Sequence, residues 1–122
     1  MRRLWIVIAL LAFASALLPD VAASAGYGAI AWDPASGKAG WIWNQPTAGE
    51  AAAKALRECG VSGCRLVIKP TTVCAALATI ANGKAIGAAA RKTNDEARLA
   101  ALTDCQKRKA GDCVVRASDC NK

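Results

Sequence analysis

The chain repeats itself at an offset of 46 residues. Thr47-Ala48-Gly49-Glu50-Ala51, followed by Ala55-Leu56 and Cys59, returns as Thr93-Asn94-Asp95-Glu96-Ala97, Ala101-Leu102 and Cys105. Gly37-Lys38-Ala39 returns as Gly83-Lys84-Ala85, and Cys74 as Cys120, at the same spacing. Such a period constrains architecture more than any single residue does, because two copies of one folding unit must bury their apolar faces together.

Each copy reads as strand, turn, strand, helix, strand. In the first, Tyr27 to Trp32 is a short apolar strand, Asp33 to Lys38 a turn marked by Pro34 and Gly37, and Ala39 to Asn44 the returning strand. In the second, Cys74 to Ala81 and Lys84 to Ala90 flank Asn82-Gly83, the signal of a two-residue hairpin turn. Thr47 with Glu50, and Thr93 with Glu96, are capping boxes, in which each side chain satisfies the other's free amide at a helix start. Ala51, Ala55, Leu56 and Cys59 then share one helix face, and Ala97, Ala101, Leu102 and Cys105 repeat the stripe. Alanine on that face predicts helices lying close to a sheet. Arg65 to Lys69 and Val114 to Ala117 read as closing strands. The predicted fold class is α+β: two pseudo-symmetric strand-strand-helix-strand repeats, about 27–73 and 74–120, forming an antiparallel sheet covered by two short helices and carrying three disulfides.

Ahead of the repeats, Met1-Arg2-Arg3 leads into an apolar run from Leu4 to Leu18, the length of a signal-peptide core and short of a comfortable membrane span. Ala23-Ser24-Ala25 supplies small residues at alternate positions, so cleavage is expected after Ala25. That leaves 26–122 as one disulfide-stabilised domain, secreted or periplasmic, with no transmembrane segment. The whole chain has 16 basic and 9 acidic residues; Arg2, Arg3 and Asp20 leave with residues 1–25, so the domain keeps 14 and 8, a net of +6. It is rich in alanine and poor in large apolar side chains. A core this thin in a small exported domain is commonly stapled by disulfides.

Six cysteines supply the staples, all within the expected mature domain. The chain has no His and no Cys-x-x-Cys pair, so no metal site and no cofactor is predicted. A duplicated unit should use its cysteines equivalently. Cys59 and Cys64 flank Gly60-Val61-Ser62-Gly63, and Cys105 and Cys113 flank the longer, basic Gln106 to Asp112 turn. Local bonds Cys59–Cys64 and Cys105–Cys113 are therefore expected, each tying a helix end to the next strand. Cys74 and Cys120, equivalents by the repeat, remain to form Cys74–Cys120 across the two halves.

Several of these segments carry a resemblance. Tyr27-Gly28-Ala29-Ile30-Ala31, Gly40-Trp41 with Trp43-Asn44, Glu50-Ala51, Ala55-Leu56 with Cys59, Cys74-Ala75-Ala76-Leu77-Ala78, and the Cys105, Cys113, Cys120 ending resemble the bacterial secreted family known as domain of unknown function 4189. The resemblance covers nearly the whole mature domain and implies export and disulfides. It transfers no catalytic residue. One departure is Ile86-Gly87-Ala88, where an aromatic would be expected.

Without His, Ser-His-Asp and Cys-His arrangements are excluded. Of the carboxylates, Glu50 and Glu96 serve as caps, Asp95 lies in a first helical turn where the helix dipole favours it, and Asp33 opens a turn. A glycosidase needs two carboxylates across a cleft, which this composition does not advertise. The halves differ most in Trp32, Trp41 and Trp43, whose equivalents at the 46-residue offset are Ala78, Gly87 and Ala89. Trp41 and Trp43 share one face of a strand; they read as filling for a thin core and, if exposed, as a platform for a glycan, a peptide or a membrane interface. Lys107, Arg108 and Lys109 form a basic turn that reads as a solvated loop or as a contact for anionic polymer, lipid headgroups or an acidic protein. These six residues are the candidate binding positions. The function expected is a small secreted or periplasmic binding or interaction domain; a minor cell-wall hydrolase and a structural envelope accessory are the alternatives. Its expected partner is an exported protein or an anionic envelope polymer, not nucleic acid.

Overall fold

The computed structural model describes residues 26–108 and 111–122. The expected signal peptide, its cleavage site and Lys109 lie outside the described residues. Within them, β1 (Tyr27–Trp32), β2 (Ala39–Gln45), α1 (Ala48–Cys59) and β3 (Arg65–Thr71) are followed by β4 (Cys74–Thr79), β5 (Ile86–Arg91), α2 (Asn94–Arg108) and β6 (Val114–Cys120). The strands form two antiparallel three-stranded sheets, ordered β2-β1-β3 and β5-β4-β6. The fold is α+β with two strand-strand-helix-strand units, each half closing its own sheet.

The layers follow from the alternation of side chains along the two central strands. Ala29 and Ala31 of β1 meet Ala51, Ala55 and Cys59 of α1, while Ile30 and Trp32 point the other way, into a cluster shared with Ala75 and Leu77 of β4. Ala76 and Ala78 of β4 meet Ala97, Ala101 and Cys105 of α2. The order is therefore helix, sheet, sheet, helix, and the sequence expectation of one sheet under two helices is corrected to two sheets packed face to face. Both central strands are covered on both faces, which is why β4 is buried at every residue. Ile30 and Leu77 are fully buried between the sheets; complete burial of such side chains stabilises by about 2–3 kcal/mol each. In this packing β2 lies over β6 and β3 over β5, an exchange consistent with an approximate two-fold axis relating the halves.

Small residues set the helix-to-sheet distance. A Cβ at Gly40 would run into the α1 backbone at Ala55 and Cys59, and one at Gly87 into the α2 backbone at Ala101 and Cys105. Leu56 stands outside this contact, 36% exposed, so the apolar stripe of α1 is narrower than its sequence implied. Thr47 and Thr93 cap the helices by accepting from the amides of Glu50 and Glu96 at 3.1 and 3.2 Å. No reciprocal bond from either Glu side chain occurs among the described residues, so half of each capping box is present.

Gly40 and Gly87 occupy equivalent places against equivalent helix residues, yet they are 47 apart, not 46. The extra residue sits in β2. Tyr27 pairs with Gln45 but Ala29 with Ile42, a bulge that holds Asn44 at φ 58. Before this bulge the halves correspond at 47, and through the helices at 46. The structural equivalents of Trp32, Trp41 and Trp43 are thus Thr79, Ala88 and Ala90, not Ala78, Gly87 and Ala89. The second turn is likewise wider than a two-residue hairpin: Ile80 N–H donates to the Ala85 carbonyl at 3.1 Å, as Asp33 N–H does to Lys38 at 2.9 Å. The two turns abut, since a Cβ at Gly37 or at Gly83 would strike the other turn's backbone, and both glycines hold positive φ.

The disulfides are Cys59–Cys64, Cys105–Cys113 and Cys74–Cys120, spanning 5, 8 and 46 residues. Cys74 and Cys120 are register partners on β4 and β6. The bond therefore joins the first and last strands of the second half and does not cross between halves, which corrects both the expected crosslink and the assumed equivalence of the two cysteines.

Candidate functional site

Two seams run along the sides of the sandwich, where the sheet edges face each other. At the β2–β6 seam, Trp41 and Trp43 lie half-buried against the inter-sheet core. The Arg116 guanidinium sits 5.8 Å from the Trp41 ring centroid and donates to the Gly37 carbonyl at 3.1 Å. Trp43 covers Gly28, where a Cβ would come within 2.7 Å of the indole. Asn44, at the bulge, exchanges bonds with the chain end: its amide donates to the Asn121 side chain at 3.0 Å and its side chain accepts from Lys122 N–H at 2.6 Å. Asn121 also donates to the carbonyls of Thr71 and Val73, tying down the link between the halves. Indoles, guanidinium and amide clasp together fill the middle and far end of this seam, and a hollow of about 380 Å³ remains at its turn end, lined by Gly37, Thr79, Asn82, Val114 and Arg116 and lacking any indole.

At the β3–β5 seam the corresponding positions are Ala88 and Ala90. Toward the second turn this side of the sandwich carries a depression of about 500 Å³, lined by Trp32, Ile80, Asn82, Lys84, Ala85, Ile86 and Arg108. It runs into a second hollow of about 180 Å³ bordered by Arg65, Val67, Ala88 and Asp104 and sharing Trp32, Ile86 and Arg108 with the first. Trp32 is a wall of this groove, 8% exposed. Its indole N–H is already donated to the Gly83 carbonyl at 2.6 Å, so the ring offers an apolar surface and no free donor.

Charge gathers at the rim. Arg65 lies 5.7 Å from the Trp32 ring centroid, and Arg65, Lys84 and Arg108 are all exposed to solvent. Asp104 is the one carboxylate lining these two hollows. It accepts from the Ala88 amide at 3.3 Å and from Arg108 at 3.4 Å, and with three cations to one carboxylate the rim is net cationic. Asp33 is close in sequence to Trp32 but takes no part. It accepts from the Ser36 hydroxyl at 2.6 Å and from the amides of Ser36 and Ala35, and the Ser36 bond holds its carboxyl below the ordinary range.

Five of the six positions singled out from sequence are thus distributed, Lys109 lying outside the described residues. Trp32 and Arg108 come together in the groove; Trp41 and Trp43 fill the opposite seam; Lys107 borders a neighbouring hollow with Arg91 and Thr103. The sequence marks Ile86 only as a departure from the family pattern and does not mark Arg65, Lys84 or Asp104, while a repeat alignment anchored on Gly40 and Gly87 sets Ala88 opposite Trp41. Among the described residues no group of three metal-ligating side chains occurs, and no helix is long and apolar enough to cross a membrane.

The model of the family described as domain of unknown function (DUF4189) matches residues 27–120. The match takes in all six strands and both helices, and the chain belongs to that family. No curated protein and no solved structure matches it.

Proposed function

We propose that this DUF4189 domain is a non-catalytic binding module, exported after cleavage near Ala25, that takes an anionic partner in the β3–β5 seam. The observation that carries the reading is the asymmetry between seams: the β3–β5 groove joins an apolar wall of Trp32 and Ile86 to a rim of Arg65, Lys84 and Arg108, whereas the hollow at the β2–β6 side has Thr79 in place of the indole and Arg116 as its one cation. Three disulfides fit an oxidising, extracytoplasmic compartment. Both partners expected from sequence, an acidic exported protein and an anionic envelope polymer, bring the charge this rim favours. Hydrolysis finds less support, because a lone carboxylate already engaged by a backbone amide and a guanidinium does not make an acid–base pair.

The test is an NMR titration of the oxidised domain with a short polyglutamate peptide at low salt. Expected are shifts of the Trp32 indole N–H and of the Arg65, Ile86 and Arg108 amides, with the Trp41 and Trp43 indoles unmoved and the shifts weakening as salt screens the charges. Equal movement at both seams, or none at either, would overturn the reading.

A further inference from the structure

We infer that the groove takes one compact amphipathic anionic group of its partner, an acidic group carried on a flat or branched apolar body. The inference rests on the seam being the binding face. Its separate content is the ligand class, which follows from how charge and apolar surface are divided within the groove.

The cations stand only at the rim. Arg65, Lys84 and Arg108 are exposed, whereas the walls are the Trp32 ring, Ile80 and Ile86. A bare hydrated anion would meet solvated side chains, whose attraction is weak in water, and would gain nothing from the walls. A wholly apolar ligand would cover those walls but bring no partner to cations whose hydration it disturbs. A molecule with an apolar body against Trp32 and Ile86 and one acidic group at Arg65, Lys84 or Arg108 satisfies both parts. At about 500 Å³ the main depression falls within the range of small-molecule sites. Asp104 sharpens the argument: it already offers a carboxylate to Arg108 and to the Ala88 amide through contacts of 3.4 and 3.3 Å, which a ligand acid would replace or oppose. Asp104 is therefore a specificity residue whose charge limits anion affinity.

The probe is 1-anilinonaphthalene-8-sulfonate, followed by its fluorescence at low salt, with N-phenyl-1-naphthylamine as the same aromatic body without the anion and sulfate as the anion without the body. One sulfonate probe is expected to bind per domain, at least tenfold more tightly than the neutral probe, with sulfate competing only at far higher concentration. Asp104→Asn should tighten the sulfonate probe several-fold and leave the neutral one unchanged. Ala88→Trp, which gives this seam the side chain its counterpart already holds, fills the smaller hollow between Arg65, Asp104 and Arg108 and should weaken binding at least tenfold. Should that variant unfold, the surface pair Arg65→Gln with Arg108→Gln must still cost about tenfold, and Lys69→Gln, outside the groove, must cost nothing. Equal affinity for the neutral probe, or displacement by sulfate at matched concentration, would overturn the ligand class while leaving the seam as the binding face. Unchanged sulfonate binding in folded Ala88→Trp would overturn both.

Discussion

At the β2–β6 seam two tryptophans pack between the sheets, Arg116 lies against one of them and a hollow remains only toward the turns, whereas at the β3–β5 seam two alanines stand in the related positions and a hollow bordered by Ala88 continues along the seam. The difference is carried by side-chain volume and by the bulge at Asn44, which adds the clasp to the chain end. It shows that a core short of large residues need not be filled evenly. Ile30, Leu77 and the indoles consolidate the centre and one side, and the other side is left free to differ. The sheets also differ in how their outer strands are held. β6, beside the tryptophan seam, is joined to β4 by Cys74–Cys120, whereas β3, beside the alanine one, meets β1 at the corresponding end through Gly28 and Thr71 without a covalent bond.

The comparison can be broken most forcefully at that bond. Cys74→Ser with Cys120→Ser removes a closure of 46 residues and is expected to cost about 4 kcal/mol in denaturant unfolding. Cys59→Ser with Cys64→Ser, a closure of 5, should cost about half that. Equal losses would mean that the first half depends on its short staple more than chain entropy allows.

Opening the tryptophan seam comes next. Trp41→Ala should cost about 3 kcal/mol, near the lower end for a large aromatic because the ring is only half-buried. It should also create a new hollow at β2–β6, detectable as a second site for the sulfonate probe. A loss below about 1 kcal/mol would show that the indole is not filling the seam.

A finer contrast is available one residue along β1. Gly28→Ala pushes a methyl group into Trp43 and Asn121 and should cost about 2 kcal/mol. The matching position in the second half is already alanine, Ala75, fully buried, and its replacement by Gly should cost only about 1 kcal/mol. Thermal unfolding of the two variants gives the ratio directly.

The smallest effect concerns the turns. Asp33 has its pKa lowered in the folded state, chiefly by the Ser36 hydroxyl, so its contribution is present above the ordinary carboxylate pKa and is lost as pH falls through the folded value. The second turn has Ile80 at that place and no such dependence. Asp33→Asn should therefore lower stability slightly at neutral pH and flatten its decline below about pH 4, while Ile80→Val leaves the acid limb unchanged. A steeper acid limb in the Asn variant would contradict the assignment.

Much of this architecture is legible in the chain because local chemistry decides it. Thr47 and Thr93 announce the helix starts, the alanine stripes announce close helix packing, and the apolar run of β1 announces a strand. That same run, Ala29-Ile30-Ala31-Trp32, also signals burial on both faces; two such strands, β1 and β4, point to two stacked sheets instead of one. The groove is harder to read because it depends on register. Helices match at 46 residues, and carrying that offset back into the strands exchanges the two faces of the sheet, so Trp41 is set against Gly87 on the helix side instead of Ala88 on the seam. The single residue at the Asn44 bulge causes the slip. Arg65 and Lys84 escape notice for another reason: exposed cations are common, and only their convergence on Trp32 sets them apart.

The stacking of sheet on sheet also makes the molecule an isologous dimer written into one chain. Each half covers one face of its sheet with its own helix and leaves the opposite face, Ile30, Trp32 and Val67 in one case, Leu77, Ile86 and Ala117 in the other, to be covered by its sister. Tethering replaces subunit encounter with a fixed local concentration, and it frees the two copies from being identical, since each surface now meets only one partner. A mutation in a symmetric dimer would change both seams at once; in the fused chain one seam can be packed with indoles while the other keeps small side chains.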